Sequence, residues 1–152
     1  MKRDSFLDKE VGFTFSTEER EITEDELNKL YEMWGDTENL FTDDDFARSA
    51  DMNFQGRIVA GLFLAGVMLP KLDMLPGAGF AYDAAMVGMN DVKFISPAYP
   101  GDRLRLEGEL TGKRTTSKGH VLVEWKWALV KKDGTMVASG TNTELFPRSM
   151  AE

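Results

Sequence analysis

The side chains of this 152-residue chain that could move protons are almost all carboxylates: 26 Asp and Glu stand against a single His, and there is no Cys. Without Cys there is no disulfide scaffold, thiolate metal site or Cys nucleophile, and one His cannot build a His-rich zinc centre. Acid–base chemistry would therefore fall mainly to acids. The densest group is Asp36, Glu38, Asp43, Asp44 and Asp45. Its spacing matches no calcium-binding loop, so a solvated face, a metal or a general base all remain open. His120 lies beside the turn-forming run 115–119 and reads as an exposed or capping side chain. Backbone amides at the head of the apolar segment near Gly56 and Arg57 are a further resource, since the first turn of a helix leaves N–H groups free for a carbonyl oxygen or an anion.

Other chemistries are excluded. The chain has no glycine-rich dinucleotide fingerprint, phosphate-binding loop, nucleophile elbow or His-Glu-x-x-His motif. A net charge of -8, with Lys and Arg scattered, argues against binding duplex DNA or bulk RNA, although a local basic patch could still hold an anionic ligand. An apolar content of 42% is enough to fill a core. The longest uncharged stretch, Ile58 to Pro70, has 13 residues, against the roughly 20 needed to cross a bilayer. The first residues turn acidic without an apolar run, which fits a cytoplasmic protein better than a secreted one.

These residues need elements to position them. Thr23 and Glu26 form a capping box, and Leu27, Leu30, Tyr31 and Trp34 fall on one helical stripe that Gly35 is suited to end. Thr42 or Asp43 caps a short helix through Phe46, Ala47 and Arg48. From about Arg57 to Leu72 the chain is apolar on every face, which predicts a buried helix enclosed by a sheet or shared with a second subunit. Gly61 and Gly66 within it suggest close approach of another group. Phe13 to Ser16, Asp91 to Ile95, Arg103 to Leu110, the long run 121–129 and Met136 to Phe146 read as strands, with a Lys132-Asp133-Gly134 turn before the last. Trp125 and Trp127 share the core-facing side of the long strand. The pattern is α+β, an antiparallel sheet wrapped around a long central helix. Residues 1–152 are expected to form one domain with its core over about 13–147, and an open sheet edge would suit a second copy.

Several segments in this order resemble the MaoC-like dehydratases and R-specific enoyl-CoA hydratases of the hotdog superfamily. They are Glu21-Ile22-Thr23-Glu24, Gly35-Asp36-Thr37-Glu38-Asn39-Leu40-Phe41-Thr42-Asp43, Gly56-Arg57-Ile58-Val59-Ala60-Gly61-Leu62, and Gly88 through Pro100-Gly101-Asp102 to Leu104. The resemblance implies a hotdog fold and a hydratase or dehydratase, a lyase of fatty acid metabolism acting on an acyl thioester. The acyl group would be carried by CoA or a carrier and held between the central helix and the sheet. In that family an Asp and a His handle water and a proton while helix amides stabilise the thioester oxygen. Carried over, the Asp falls on Asp36, its Asn on Glu38 and its His on Phe41; a second His falls on Ala60, and the Gly after it is retained as Gly61.

The resemblance thus assigns catalysis to Asp36 and Glu38, thioester binding to Ala60 and Gly61, and tunnel lining to Phe41 and Leu62. Phosphate contacts are expected from Arg57, Lys93 and Arg103, with Arg105, Lys113, Arg114 and Lys118 as further candidates at the tunnel mouth. It calls for no metal and no cofactor. A homodimer is expected, or a heterodimer with a His-containing homologue. Two other functions are compatible with it: a non-catalytic acyl-thioester-binding partner subunit, and a thioester hydrolase.

Overall fold

A computed structural model describes residues 6–35, 38–68 and 84–151. Helix α1 spans Glu24–Trp34 and starts as its sequence requires. The Thr23 hydroxyl accepts from the Glu26 amide at 3.2 Å, and the Glu26 carboxylate accepts from the Thr23 amide at 3.1 Å. Gly35, at φ +80°, ends it. Two short helices follow, α2 at Asn39–Thr42 and α3 at Asp44–Ser49, the latter capped by the Asp43 carboxylate.

The apolar helix α4 spans Gly61–Met68. It begins later than the sequence pattern predicts, because the backbone before it is committed elsewhere. The Ile58 N–H donates to the Leu40 carbonyl at 3.0 Å and the Val59 N–H to the Ala98 carbonyl at 2.8 Å. Residues 69–72 of the expected helix lie outside the described residues. Leu64, Ala65 and Met68 are buried, but Leu62 is 73% exposed, so within one chain the helix is not covered on every side.

The strands are β1 (Thr14–Ser16), β2 (Arg20–Glu21), β3 (Ala85–Phe94), β4 (Arg103–Thr115), β5 (Val121–Lys131) and β6 (Met136–Phe146). They form one antiparallel sheet in the order β1-β4-β5-β6-β3, with β2 also on β4. Strand β3 is longer than expected, since Asp91 at φ +53° and register shifts at Met86/Gly88 and Asn90/Lys93 break the alternation a sequence reading relies on. Leu106, Leu110, Val123, Trp125, Trp127, Leu129, Ala138 and Phe146 line the inner face together with α1 and α4, and Phe6 extends the core to residues before Phe13.

Close approach replaces side-chain volume at three glycines. A β-carbon on Gly108 would fall 2.1 Å from the Phe15 ring, on Gly140 2.6 Å from the Trp127 indole, and on Gly61 2.5 Å from the Phe94 ring. Gly61 therefore fulfils the expectation of a close neighbour. For Gly66, no described residue lies within 4 Å of its β-carbon direction. The buried indoles also need acceptors: Trp127 Nε1 donates to Asn142 at 3.0 Å, and Trp125 Nε1 donates to Glu144 at 3.1 Å.

Two outcomes follow. Gly61→Ala should cost about 1–3 kcal/mol in urea unfolding, because Phe94 must leave its place, and Phe94→Leu in the same chain should recover part of that loss. Burial raises the Glu144 carboxyl above its ordinary value. The folded chain thus binds that proton more tightly than the unfolded one, and stability falls as pH rises through the carboxylate range towards the folded value, then levels off. Glu144→Gln should have the higher thermal midpoint at pH 7 to 8, with the gain gone by about pH 4. A gain independent of pH would show that charge burial is not its source.

Candidate functional site

Elements from both layers meet at the head of α4. Tyr31 projects from α1 into the core and is only 5% exposed. Its hydroxyl accepts from the Ala60 N–H at 3.4 Å and donates to the Ile58 carbonyl at 3.5 Å. Burial raises its phenol above the ordinary tyrosine value, so the group stays protonated through the neutral range. The Phe41 ring, half-buried on α2, stacks on Tyr31 with centroids 5.9 Å apart and planes at 19°. Trp34 meets the same Tyr31 ring at 6.0 Å and 58°.

Ala60 is buried, and its carbonyl receives the amides of Phe63 and Leu64, which makes it the cap of α4. Gly61 supplies the first amide of the helix, which intrahelical bonding leaves free. The Phe94 ring lies against Gly61 and binds the edge strand β3 to this point. Ala60, Gly61 and Phe41 are thus gathered around Tyr31, a residue that sequence reasoning placed only in the apolar stripe of a helix. Its hydroxyl among apolar neighbours was the one available hint.

The other expected site residues are placed differently. Asp36 lies outside the described residues. Glu38 precedes α2, where its side chain makes no capping bond and is exposed; its carbonyl accepts from the Phe41 amide at 3.0 Å and from the Thr42 hydroxyl at 3.5 Å. Its neighbours in the acidic group have structural partners: Asp43 caps α3, Asp44 accepts from the Arg57 amide at 2.8 Å, and Asp45 pairs with Arg48 at 3.0 Å. Among the described residues no cluster of His, Cys, Asp and Glu is arranged to hold a metal ion. Leu62 points away from the chain's interior.

The three expected phosphate contacts do not converge. Arg57 is held on α1, donating to Asn28 at 3.0 Å and pairing with Glu24 at 3.5 Å. Arg103 alternates with buried Leu104, so it faces outward, where it pairs with Glu19 at 3.5 Å. Lys93 lines an open recess of about 860 Å³ with Glu107, Ala128 and Ser139, on the face of the sheet opposite the helix. Of the further basic candidates, Arg105 pairs with Glu107 at 2.8 Å and Lys113 donates to the Leu7 carbonyl at 2.9 Å.

His120 is a cap, as its setting suggested: Nδ1 accepts from the Arg148 amide at 3.1 Å, at the start of the short helix α5 (Arg148–Ala151). Eight residue steps of strand lead from Val121 to Leu129, which lies in the row of Ala138 and Phe94. The imidazole is therefore about 26 Å of strand from the head of α4.

Among proteins of curated function, no sequence matches this chain. Solved structures share its fold. A monoamine oxidase regulatory protein from Archaeoglobus superposes with a TM-score of 0.82 at 20% identity, over 95% of this chain and 94% of that one. An (R)-hydratase from A. caviae involved in PHA biosynthesis gives 0.73 at 21%, over 92% and 98%. The C-terminally truncated HadBC (3R-hydroxyacyl-ACP dehydratase) complex from Mycobacterium tuberculosis gives 0.67 at 14%, over 91% and 98%. The α+β hotdog architecture is therefore common to all of them. The sequence profile described as the MaoC like domain matches residues 7–128, which takes in the Tyr31 and Phe41 stack, the head of α4 and most of β5. The chain belongs to the MaoC-like domain family.

Proposed function

We propose that this chain is an acyl-thioester-binding subunit of a MaoC-like hydratase or dehydratase, and that the imidazole for proton transfer comes from a second, His-bearing subunit. The stack of Phe41 on Tyr31 carries this reading. Phe41, onto which the resemblance maps the family His, is packed against an aromatic ring, and a phenyl group neither donates nor accepts a proton. His120, the chain's one imidazole, is committed at the far end of the sheet. What remains suits binding better than turnover: a free amide at Gly61, a buried phenol and apolar walls.

The outer side of β3 supports a second subunit. Among the described residues it pairs with no strand, and it exposes Met86, Val87, Met89 and Phe94. The structurally similar HadBC dehydratase is itself a complex.

A second reading, implied by the resemblance, is independent hydration by the carboxylates Asp36 and Glu38, against which the exposed position of Glu38 counts. One experiment separates the two. With crotonyl-CoA, the chain alone should bind without loss of the enoyl absorbance or release of free thiol. With a His-bearing homologue from the same genome it should form a heterodimer that hydrates the substrate. Hydration by the chain alone that is lost in Asp36→Asn would favour the second reading, and thiol release would point to a hydrolase. Absence of any binding would overturn the proposal.

A further inference from the structure

The recess of about 860 Å³ on the outer face of the sheet has no part in the acyl-thioester reading, which concerns the opposite face. Its size falls in the range of small-molecule sites, about 300–1,000 Å³. Strand register arranges its side chains. Glu107, Ala128, Ser139 and Lys93 stand opposite one another in a single row across β4, β5, β6 and β3. Small side chains at Ala128 and Ser139 keep the middle of that row low. Glu107 pairs with Arg105 at 2.8 Å, and Glu109, in the next row, pairs with Lys126 at 2.7 Å, so these charges cancel. Two charges on β3 do not. Asp91 and Lys93 both line the recess and are exposed, and neither side chain has an ion pair or hydrogen bond among the described residues.

The backbone beneath them is bulged. From Asn90 to Lys93, three steps of β3 face the two steps of β6 between Thr141 and Ser139. Asp91 takes the left-handed conformation there, at φ +53°. Asp tolerates that conformation better than most residues, but Gly fills such a position at lower cost. Backbone held in a sparsely populated region marks ligand clamps, and here it carries a charged side chain into a recess.

We propose that Asp91 and Lys93 bind the zwitterionic end of a free α-amino acid, its ammonium on the Asp91 carboxylate and its carboxylate on Lys93 Nζ. The two protein charges, opposite in sign and close in the chain, match a ligand whose two charges hang from one carbon. A peptide carries those charges at its two ends, and a phosphate would meet Asp91 as a like charge. Ser139 lies directly opposite Lys93, with β-carbons about 4.5–5.5 Å apart, so its hydroxyl can donate to the same ligand carboxylate. The ligand side chain would lie over Ala128 beside the partly exposed Met136, which favours an apolar amino acid.

The test follows the full chain by heteronuclear NMR and calorimetry, with L-phenylalanine as the probe. Binding should shift the amide signals of Ser139, Gly140 and Thr141 and weaken as salt is raised. The methyl ester of the probe lacks the carboxylate and its N-acetyl derivative lacks the ammonium; each should bind at least about tenfold more weakly. Lys93→Met and Asp91→Asn, the latter keeping a residue suited to the left-handed position, should each lose about as much. Asp91→Gly should lose binding with little change in thermal midpoint, whereas a purely structural Asp91 would give the reverse. No shifts up to the solubility limit of the probe, equal binding of the blocked derivatives, or unchanged binding in Asp91→Asn and Lys93→Met would each overturn the site. The result is independent of crotonyl-CoA binding, which the proposal above assigns to the other face.

Discussion

Three aromatic rings in this fold occupy space that a β-carbon would otherwise fill: Phe15 over Gly108, Trp127 over Gly140 and Phe94 over Gly61. The first brings β1 onto the inner face of β4, the second lets a large indole lie flat across β6, and the third fastens the edge strand β3 to the head of α4. Close packing of this kind tolerates little change in volume. It fixes where the helix begins relative to the sheet. That position matters at the site, because the Ala60 amide at the head of α4 donates to the hydroxyl of Tyr31 on α1.

Much of the architecture could be read from residue order. The capping box at Thr23 and Glu26, the stop at Gly35, the cap at Asp43 and the paired tryptophans facing the core all follow from short-range chemistry, and the structure reproduces them. The start of α4 could not be read, since the Ile58 and Val59 amides are taken by Leu40 and Ala98, partners distant in sequence. Strand β3 was underestimated because its bulges interrupt the two-residue period. At the candidate site, Phe41 and Ala60 both meet Tyr31, with Gly61 next along the chain, whereas Arg57, Lys93 and Arg103 are held apart by ion pairing and by the sheet between them. Tyr31 escaped notice because a tyrosine in an apolar stripe looks like core until its hydroxyl is seen against a helix amide.

Charge and function meet at the same place. Residues 18–51 are strongly acidic, yet they carry an aromatic group in which Trp34 and Phe41 each meet the ring of buried Tyr31. A hydratase site needs a group that gives up and takes back a proton at moderate pH. The stack offers a phenol held above its ordinary value and a phenyl ring with no proton at all. The position of Phe41 thus offers no proton-transfer group, and β3 carries exposed apolar residues along an edge that pairs with no strand among the described residues.

The central claim is that Phe41 is what withholds independent hydration from this chain. Its most direct test is to install the missing group as Phe41→His and to follow crotonyl-CoA hydration by the isolated protein. The account predicts turnover at least about 10²-fold above wild type. A Phe41→His protein that folds, binds crotonyl-CoA and remains as inactive as the wild type would contradict it.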